Sequence, residues 1–287
     1  VINDGSSDLT SSIIEGIKNQ HPHKIRFINN KKNTRPKIAG NQGLEVAKGE
    51  FIAFNDGDDF WEPTKLEKQI SIFDKDKSNS LGIVYTYGRN LNLNPERKVK
   101  AIWDQDPKKD LIKQLFYGAF FFKVSMMVKS EIIQKLGGYN EKYPMCCDYE
   151  LMLRIAASGA KFDRVPEVLV NHRIHSNNGT SNREKSMQNT KQMIIDFSKR
   201  YADLIQEKNL NVARRIAVAD LMEAKYLMTH ERYSDARNIY NKLLFTQTSL
   251  IFCIKSNLFF FIMSYMPVFF INFLKKFKFF NNIFISD

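Results

Sequence analysis

The chain has 287 residues, 43% of them hydrophobic and 26% charged, with only 13 Gly and 8 Pro; this excludes collagen-like, low-complexity and disordered classes and leaves room for one large domain or two of roughly 100 to 200 residues. Lys and Arg exceed Asp and Glu by 43 to 31, and the resulting charge of +12 favours a polyanionic partner: nucleic acid, anionic lipid or a phosphorylated substrate. Cys146, Cys147 and Cys253 are too few and wrongly spaced for a disulfide framework or a zinc site, which fits a reducing cytosol.

The chain opens with Val1-Ile-Asn-Asp-Gly, without an initiator Met or the basic-then-apolar pattern of a signal peptide, and reads as the middle of a longer pattern. After Ser and Asp N-cap candidates, a helix places Leu9, Ile13, Ile14 and Ile17 on one face. Two strands are expected at Lys24–Asn29 and Glu50–Phe54, with a helix carrying Leu44, Val46 and Ala47 between them. This alternation predicts an α/β layer with a mainly parallel sheet flanked by helices. Ligands collect at the carboxyl ends of such strands. The turns Asn3–Asp8 and Asn55–Asp59 both follow apolar strand-like runs, where that rule puts a site.

The middle, about residues 102–176, contains Leu136-Gly-Gly-Tyr-Asn-Glu and then Asp148-Tyr-Glu-Leu-Met-Leu-Arg154. Beyond about Asn182 Gly and Pro nearly vanish, and Met193, Ile194, Phe197, Tyr201 and Leu204 recur at helical spacing, which predicts a helical appendage over Glu184–Leu244. Its Tyr233–Leu244 stretch resembles one tetratricopeptide helix, in a single copy without a repeat period. From Phe245 onward the tail holds twelve of the chain's 23 Phe beside Lys275, Lys276 and Lys278. Leu258–Leu274 is at the short limit for a spanning helix and is interrupted by Ser264, Pro267 and Asn272. It reads as an interfacial helix gripping anionic lipid, with a helix packed on the main domain as the alternative. Lysine among Phe rather than among Gly and Arg points to lipid and away from nucleic acid.

Three acidic clusters stand out. Asn3–Asp8 also suits a capped turn. Asp56, Asp58 and Asp59 crowd three carboxylates into four positions, which a cation such as Mg²⁺ or Mn²⁺ would relieve, although Asn55-Asp-Gly is also a hairpin-turn signal. At Asp148-Tyr-Glu150, Glu150 and Arg154 form an i,i+4 pair expected on the helix surface and worth a few tenths of a kcal/mol. Asp148 sits where helix N–H groups favour an ionised carboxylate, as an N-cap or as a base.

In order along the chain, Val1-Ile-Asn-Asp-Gly-Ser-Ser-Asp-Leu-Thr10, Ala39-Gly-Asn-Gln-Gly to Phe54, Asp56-Gly-Asp-Asp-Phe-Trp-Glu-Pro-Thr-Lys-Leu-Glu67, Gly137-Gly-Tyr-Asn-Glu141, Asp148 to Arg154 and His172-Arg-Ile-His175 resemble the motifs of family 2 glycosyltransferases with the glycosyltransferase A fold. The resemblance covers residues 1–180, with the family's N-terminal strand expected to be missing. It implies that Asp4, Asn41 and Asp56 serve donor and nucleotide binding, that Asp58, Asp56 and His175 hold Mn²⁺ or Mg²⁺, that Asp59 and Arg173 support the site, and that Asp148 is the catalytic base. Gly40 stands where the family has Arg, and Cys147 where it commonly has an acid.

The expected organisation is a catalytic domain at 1–180, a helical appendage at 181–247 and a membrane-associating tail at 248–287. The expected function is inverting transfer from a nucleotide-sugar donor, a UDP-sugar first, to a hydroxyl of a saccharide or lipid-linked saccharide in cell-surface polysaccharide or lipopolysaccharide synthesis, on the cytoplasmic face of the membrane. The competing class is a non-catalytic relative that binds membrane or polyanion. The intact Asp56, Asp58 and Asp148 set discriminates against it.

Overall fold

The computed structural model describes residues 1–92, 101–102, 110–118, 121–174, 183–244 and 262–266. Its backbone divides into two units, Val1–Ser181 and Asn182–Asp287.

In the first unit, β1 (Ile2–Asp4) pairs in parallel with β2 (Ile28–Asn30), Ile2 lying opposite Ile28. Between them in the chain lies helix α1 (Thr10–Gln20). Its apolar stripe is mostly exposed: Leu9, Ile13 and Ile17 lie open, Ile14 is half-buried, and no residue of α1 is fully buried. Helix α2 (Pro36–Val46) starts on a Pro, which suits a first turn where the N–H has no intrahelical partner. It leads to β3 (Phe51–Ala53). The two expected strands are therefore found as short β2 and β3, the first displaced toward Asn30.

The main sheet is built from β3, β4 (Phe60–Trp61), β5 (Leu81–Asn92), β6 (Ala101–Ile102), β7 (Met127–Lys129) and β8 (Lys161–Ile174). Its order is β3-β7-β5-β8-β4, with β6 alongside β5. Parallel pairing dominates by length, because β5 and β8 stay paired from Leu81 opposite Lys161 to Asn92 opposite Ile174. The shorter pairings of β7 with β3 and β5, of β4 with β8 and of β6 with β5 are antiparallel. Helix α3 (Lys65–Lys75) buries Phe73 against Val84, Met127, Val165 and Leu169. Each large side chain so buried contributes about 1.5 to 3 kcal/mol. Helices α4 (Leu111–Tyr117), α5 (Ser130–Leu136) and α6 (Cys147–Ala157) complete this unit.

One sequence expectation fails here. Glu150 and Arg154 are not a surface pair: their side chains are 6% and 4% exposed and meet at 2.7 Å. Arg154 also donates to the carbonyls of Leu136 and Gly138, the groups left over where α5 ends. The pair is thus a buried staple between two helices. The i,i+4 spacing shows only that two side chains share a helix face, not what covers that face.

The second unit consists of α7 (Arg183–Arg200), α8 (Ala202–Glu207), α9 (Val212–Thr229) and α10 (Tyr233–Leu244). Asn211 caps α9 by accepting from Arg214 N–H at 2.8 Å. Lys191 bridges the buried carboxylates of Asp220 and Glu223 at 2.6 and 2.5 Å. Met263 joins the apolar core formed by α9 and α10, and Arg237 donates to the carbonyl of Ser264. This short piece of the Phe-rich region therefore packs on helices, and the other residues of the expected tail lie outside the described residues. Among the described residues no helix is long and apolar enough to cross a membrane.

Candidate active site

The acidic loop leaves the carboxyl end of β3 and is closed by Asp59 N–H donating to the carbonyl of Asp56 at 3.1 Å. Asp59 is buried. Its Oδ1 accepts from the backbone N–H of Arg173, near the end of β8, at 2.9 Å, while Oδ2 is buried without a hydrogen-bond partner. Burial raises the Asp59 carboxyl above its ordinary range; the Arg173 N–H and the charge of His172 oppose the rise, and the charges of Asp58 and Asp56 add to it. Three carboxylates in this loop therefore work against one another electrostatically. The guanidinium of Arg173 lies over the ring of Phe60 at 5.3 Å. His172 stacks on Phe122 and meets the side chain of Asn90 at 3.1 Å, and His175 lies outside the described residues.

Asp56 is paired at 2.5 Å with Lys123, a residue that the sequence reading did not single out. Burial alone would favour neutral Lys123, but the charges of Asp148 and then Asp56 hold its pKa above the ordinary lysine value. One ammonium thereby serves carboxylates that are far apart in sequence. At Asp148 burial prevails instead: it raises the carboxyl, Lys123 opposes, and Asp56 raises it further. The Sγ of Cys147 lies 3.8 Å from Asp148 Oδ1, and burial pushes that thiol up to about 12. Burial, and then the charge of Asp148, raise the Tyr139 hydroxyl well above its ordinary range.

Behind the acidic loop, Trp61 Nε1 donates to the carbonyl of Val124 at 2.9 Å and Gln69 Nε2 to those of Val84 and Ser125 at 2.6 and 3.0 Å. Lys65, fully buried, donates to Gln69 Oε1 and lies 4.1 Å over the Trp61 ring, and desolvation lowers its pKa to about 7. The segment following Lys123 is thus pinned by the helix following the acidic loop.

Asp4 and Asn41 are engaged by the protein itself. Asp4 Oδ1 accepts from Thr34 N–H, Thr34 Oγ1 and Asn30 Nδ2 at 2.6 to 3.0 Å. Burial raises the Asp4 carboxyl, and these bonds outweigh it, leaving the carboxyl below its ordinary range. Asp4 therefore shapes the turn that leads into α2. Asn41 accepts from Tyr139 N–H at 2.8 Å and donates to the Tyr139 carbonyl at 3.1 Å. The structure brings Asp56, Lys123, Tyr139 and Asp148 into one electrostatic group, and Asn41 reaches it through Tyr139. Tyr139 lies inside a motif already visible in sequence, whereas Lys123 is marked only as a lone cation after Phe120-Phe121-Phe122. Of the aromatic residues near it, Phe116 and Phe121 belong to the core.

The acidic loop has a donor set suited to a hard divalent cation, which needs only one or two protein carboxylates when phosphate oxygens and water complete its shell. The partnerless Asp59 Oδ2 and the repulsion among Asp56, Asp58 and Asp59 fit such an ion. Among the described residues no three His, Cys, Asp or Glu converge on one point.

The model of the family described as Glycosyl transferase family 2 matches residues 1–137. An uncharacterized glycosyltransferase of Methanocaldococcus jannaschii is 32% identical over 155 residues, 54% of this chain and 52% of that protein. The Escherichia coli UDP-Glc:alpha-D-GlcNAc-diphosphoundecaprenol beta-1,3-glucosyltransferase is 28% identical over 191 residues, 65% of this chain and 69% of its own length. The chain thus spans about half of the first and two thirds of the second. Among solved structures, a mannosyltransferase from Pyrobaculum calidifontis in complex with GDP-Man and Mn²⁺ aligns with 92% of this chain and 73% of its own at a TM-score of 0.53 and 16% identity, a likeness of fold. Residues 1–137 thus match glycosyltransferase family 2, and the fold is an α/β fold of the glycosyltransferase A type.

Proposed function

We propose that this chain transfers a sugar from a nucleotide-sugar donor, a UDP-sugar first, to a hydroxyl of a saccharide or lipid-linked saccharide acceptor in cell-surface polysaccharide or lipopolysaccharide synthesis. The observation that carries the reading is the pairing of Asp56, from the acidic loop, and Asp148, from the start of α6, around one ammonium in a family 2 domain. The E. coli relative uses UDP-Glc and a lipid diphosphate-linked acceptor, which supports the donor and acceptor classes.

In this mechanism Asp148, the base, takes the acceptor hydroxyl's proton as that oxygen bonds to the anomeric carbon. The bond from that carbon to the phosphate oxygen breaks, the nucleoside diphosphate leaves with the electron pair, and the configuration inverts. Burial raises the basicity of Asp148, and the charge of Lys123 opposes that rise. Asp56 and Asp58, with His175, would hold Mn²⁺ or Mg²⁺, and the bound ion would act as a Lewis acid toward the leaving diphosphate. Asp59 and Arg173 fix the loop that carries these ligands, and Asp4 and Asn41 shape the nucleotide side of the site.

The deciding experiment is calorimetric titration of UDP and GDP into the chain with Mn²⁺ and again with EDTA. Metal-dependent binding that disappears in Asp58→Ala is the expected result; absence of binding to either nucleotide refutes the reading. For the Phe- and Lys-rich residues 267–287 the proposed partner is anionic lipid on the cytoplasmic face of the membrane. Sedimentation with phosphatidylglycerol vesicles tests this, and equal binding by the full chain and a chain ending at Met266 excludes it.

A further inference from the structure

The backbone around Lys123 is tied down on several sides. The carbonyls of Val124 and Ser125 are taken by Trp61 of β4 and Gln69 of α3, at 2.9 and 3.0 Å, and Ser125 Oγ donates to the carbonyl of Phe122 at 2.7 Å. The Phe122 ring stacks on His172 and lies against β5, where a Cβ added at Gly88 would meet it at 2.9 Å. The segment then runs into β7, whose Met127 pairs opposite Ala53 of β3, the strand that feeds the acidic loop. Residue 123 is thus fixed relative to the elements before and after that loop, and only its side chain is left to choose a partner. That partner is Asp56: Nζ lies 2.5 Å from Oδ1. The lysine side chain is 21% exposed and the aspartate 47%, so solutes can reach the pair.

Asp56 is also one of the carboxylates assigned above to a divalent ion. A dication on Asp56 repels an ammonium beside it, so in the free chain the ion has to displace Lys123. A nucleoside diphosphate changes this balance, because its oxygens are natural partners for a lysine ammonium. We propose that Lys123 is a diphosphate-binding residue that waits on Asp56: in the free chain it occupies this carboxylate and keeps a divalent ion weakly bound, and the donor's diphosphate takes the ammonium over and leaves Asp56 to the ion. This rests on the reading of the site as one for a nucleotide-sugar donor. Ion and nucleotide then depend on each other for binding, and by linkage each raises the other's affinity by the same factor.

Lys123→Met removes the charge and none of the hydrogen bonds that hold residues 122–125, which run through backbone carbonyls and Ser125. Mn²⁺ alone, followed by the electron paramagnetic resonance signal of the free ion, is expected to bind this variant about fivefold more tightly than the parent. Calorimetric UDP affinity at saturating Mn²⁺ is expected to fall about tenfold. The two shifts have opposite signs, which a general loss of structure does not produce. In an Asp56→Asn background the same substitution is expected to change Mn²⁺ affinity by less than about twofold, because no pair remains to be broken. Should Lys123→Met not fold, Lys123→Gln carries the same expectations. Mn²⁺ binding that is no tighter in the folded variant, UDP binding that is unchanged, or an equal Mn²⁺ gain with and without Asp56 overturns the proposal. A parent that binds neither UDP nor GDP refutes the transferase reading and the transfer of the ammonium to a diphosphate, whereas tighter Mn²⁺ binding by Lys123→Met still establishes Lys123 as the cation that holds Asp56.

Discussion

At the scale of the residue, the environment of Asp148, the proposed base, works against stability. Its carboxyl is raised mainly by burial, so the folded state binds its proton more readily than the unfolded chain does. Below the unfolded carboxyl pKa both states are protonated and there is no penalty. As pH rises through the folded pKa, ionisation of the buried group lowers stability, and the loss is complete above it. Asp148→Asn is therefore expected to melt above the parent at pH 7, with an advantage that shrinks toward pH 4, while kcat falls by about 10² to 10⁴-fold; thermal scans at both pH values and donor turnover check this. The Glu150–Arg154 pair gives the opposite balance. Glu150→Ala leaves a guanidinium buried with only two carbonyls, and urea unfolding is expected to show a loss of about 3 to 5 kcal/mol. A surface pair would have lost a few tenths.

At the scale of the element, the turn into α2 carries strain. Arg35 precedes Pro36 with φ +83° and ψ +146°, a region natural to glycine, while Asp4 binds the adjacent Thr34 backbone. Such a conformation costs about 1 to 3 kcal/mol in a residue with a Cβ, and glycine returns part of that gain through unfolded-state entropy. Arg35→Gly is expected to raise stability by about 1 kcal/mol, read as a shifted urea midpoint at constant slope. The acidic loop and the strand before it were legible in sequence because carboxylate crowding after an apolar run is a local signal. The Lys123–Asp56 pair and the Asn41–Tyr139 hydrogen bonds were not, because their partners lie 67 and 98 residues apart in sequence. The stripe of α1 was legible as amphipathic, but periodicity does not say how much of it is covered, and of its four apolar residues only Ile14 is half-buried.

At the scale of the whole molecule, the two units have different internal logic. The first is organised by the long β5–β8 pairing, with its charged groups gathered near Asp56 and Asp148. The second is held by apolar helix faces and by Lys191 between two buried carboxylates. The fold class could be read from the alternation of strand and helix, but the β4, β6 and β7 pairings could not, because strands of two or three residues carry almost no periodic signal. The adjacent thiols at the start of α6 offer a way to time the opening of the first unit. Cys146 is buried, and Cys147 stays protonated far above neutral pH, so neither attacks a disulfide reagent while α6 is docked. In a Cys253→Ser background, the rate of reaction with dithionitrobenzoate becomes a clock for the undocking of this helix, and saturating nucleotide with Mn²⁺ is expected to slow it.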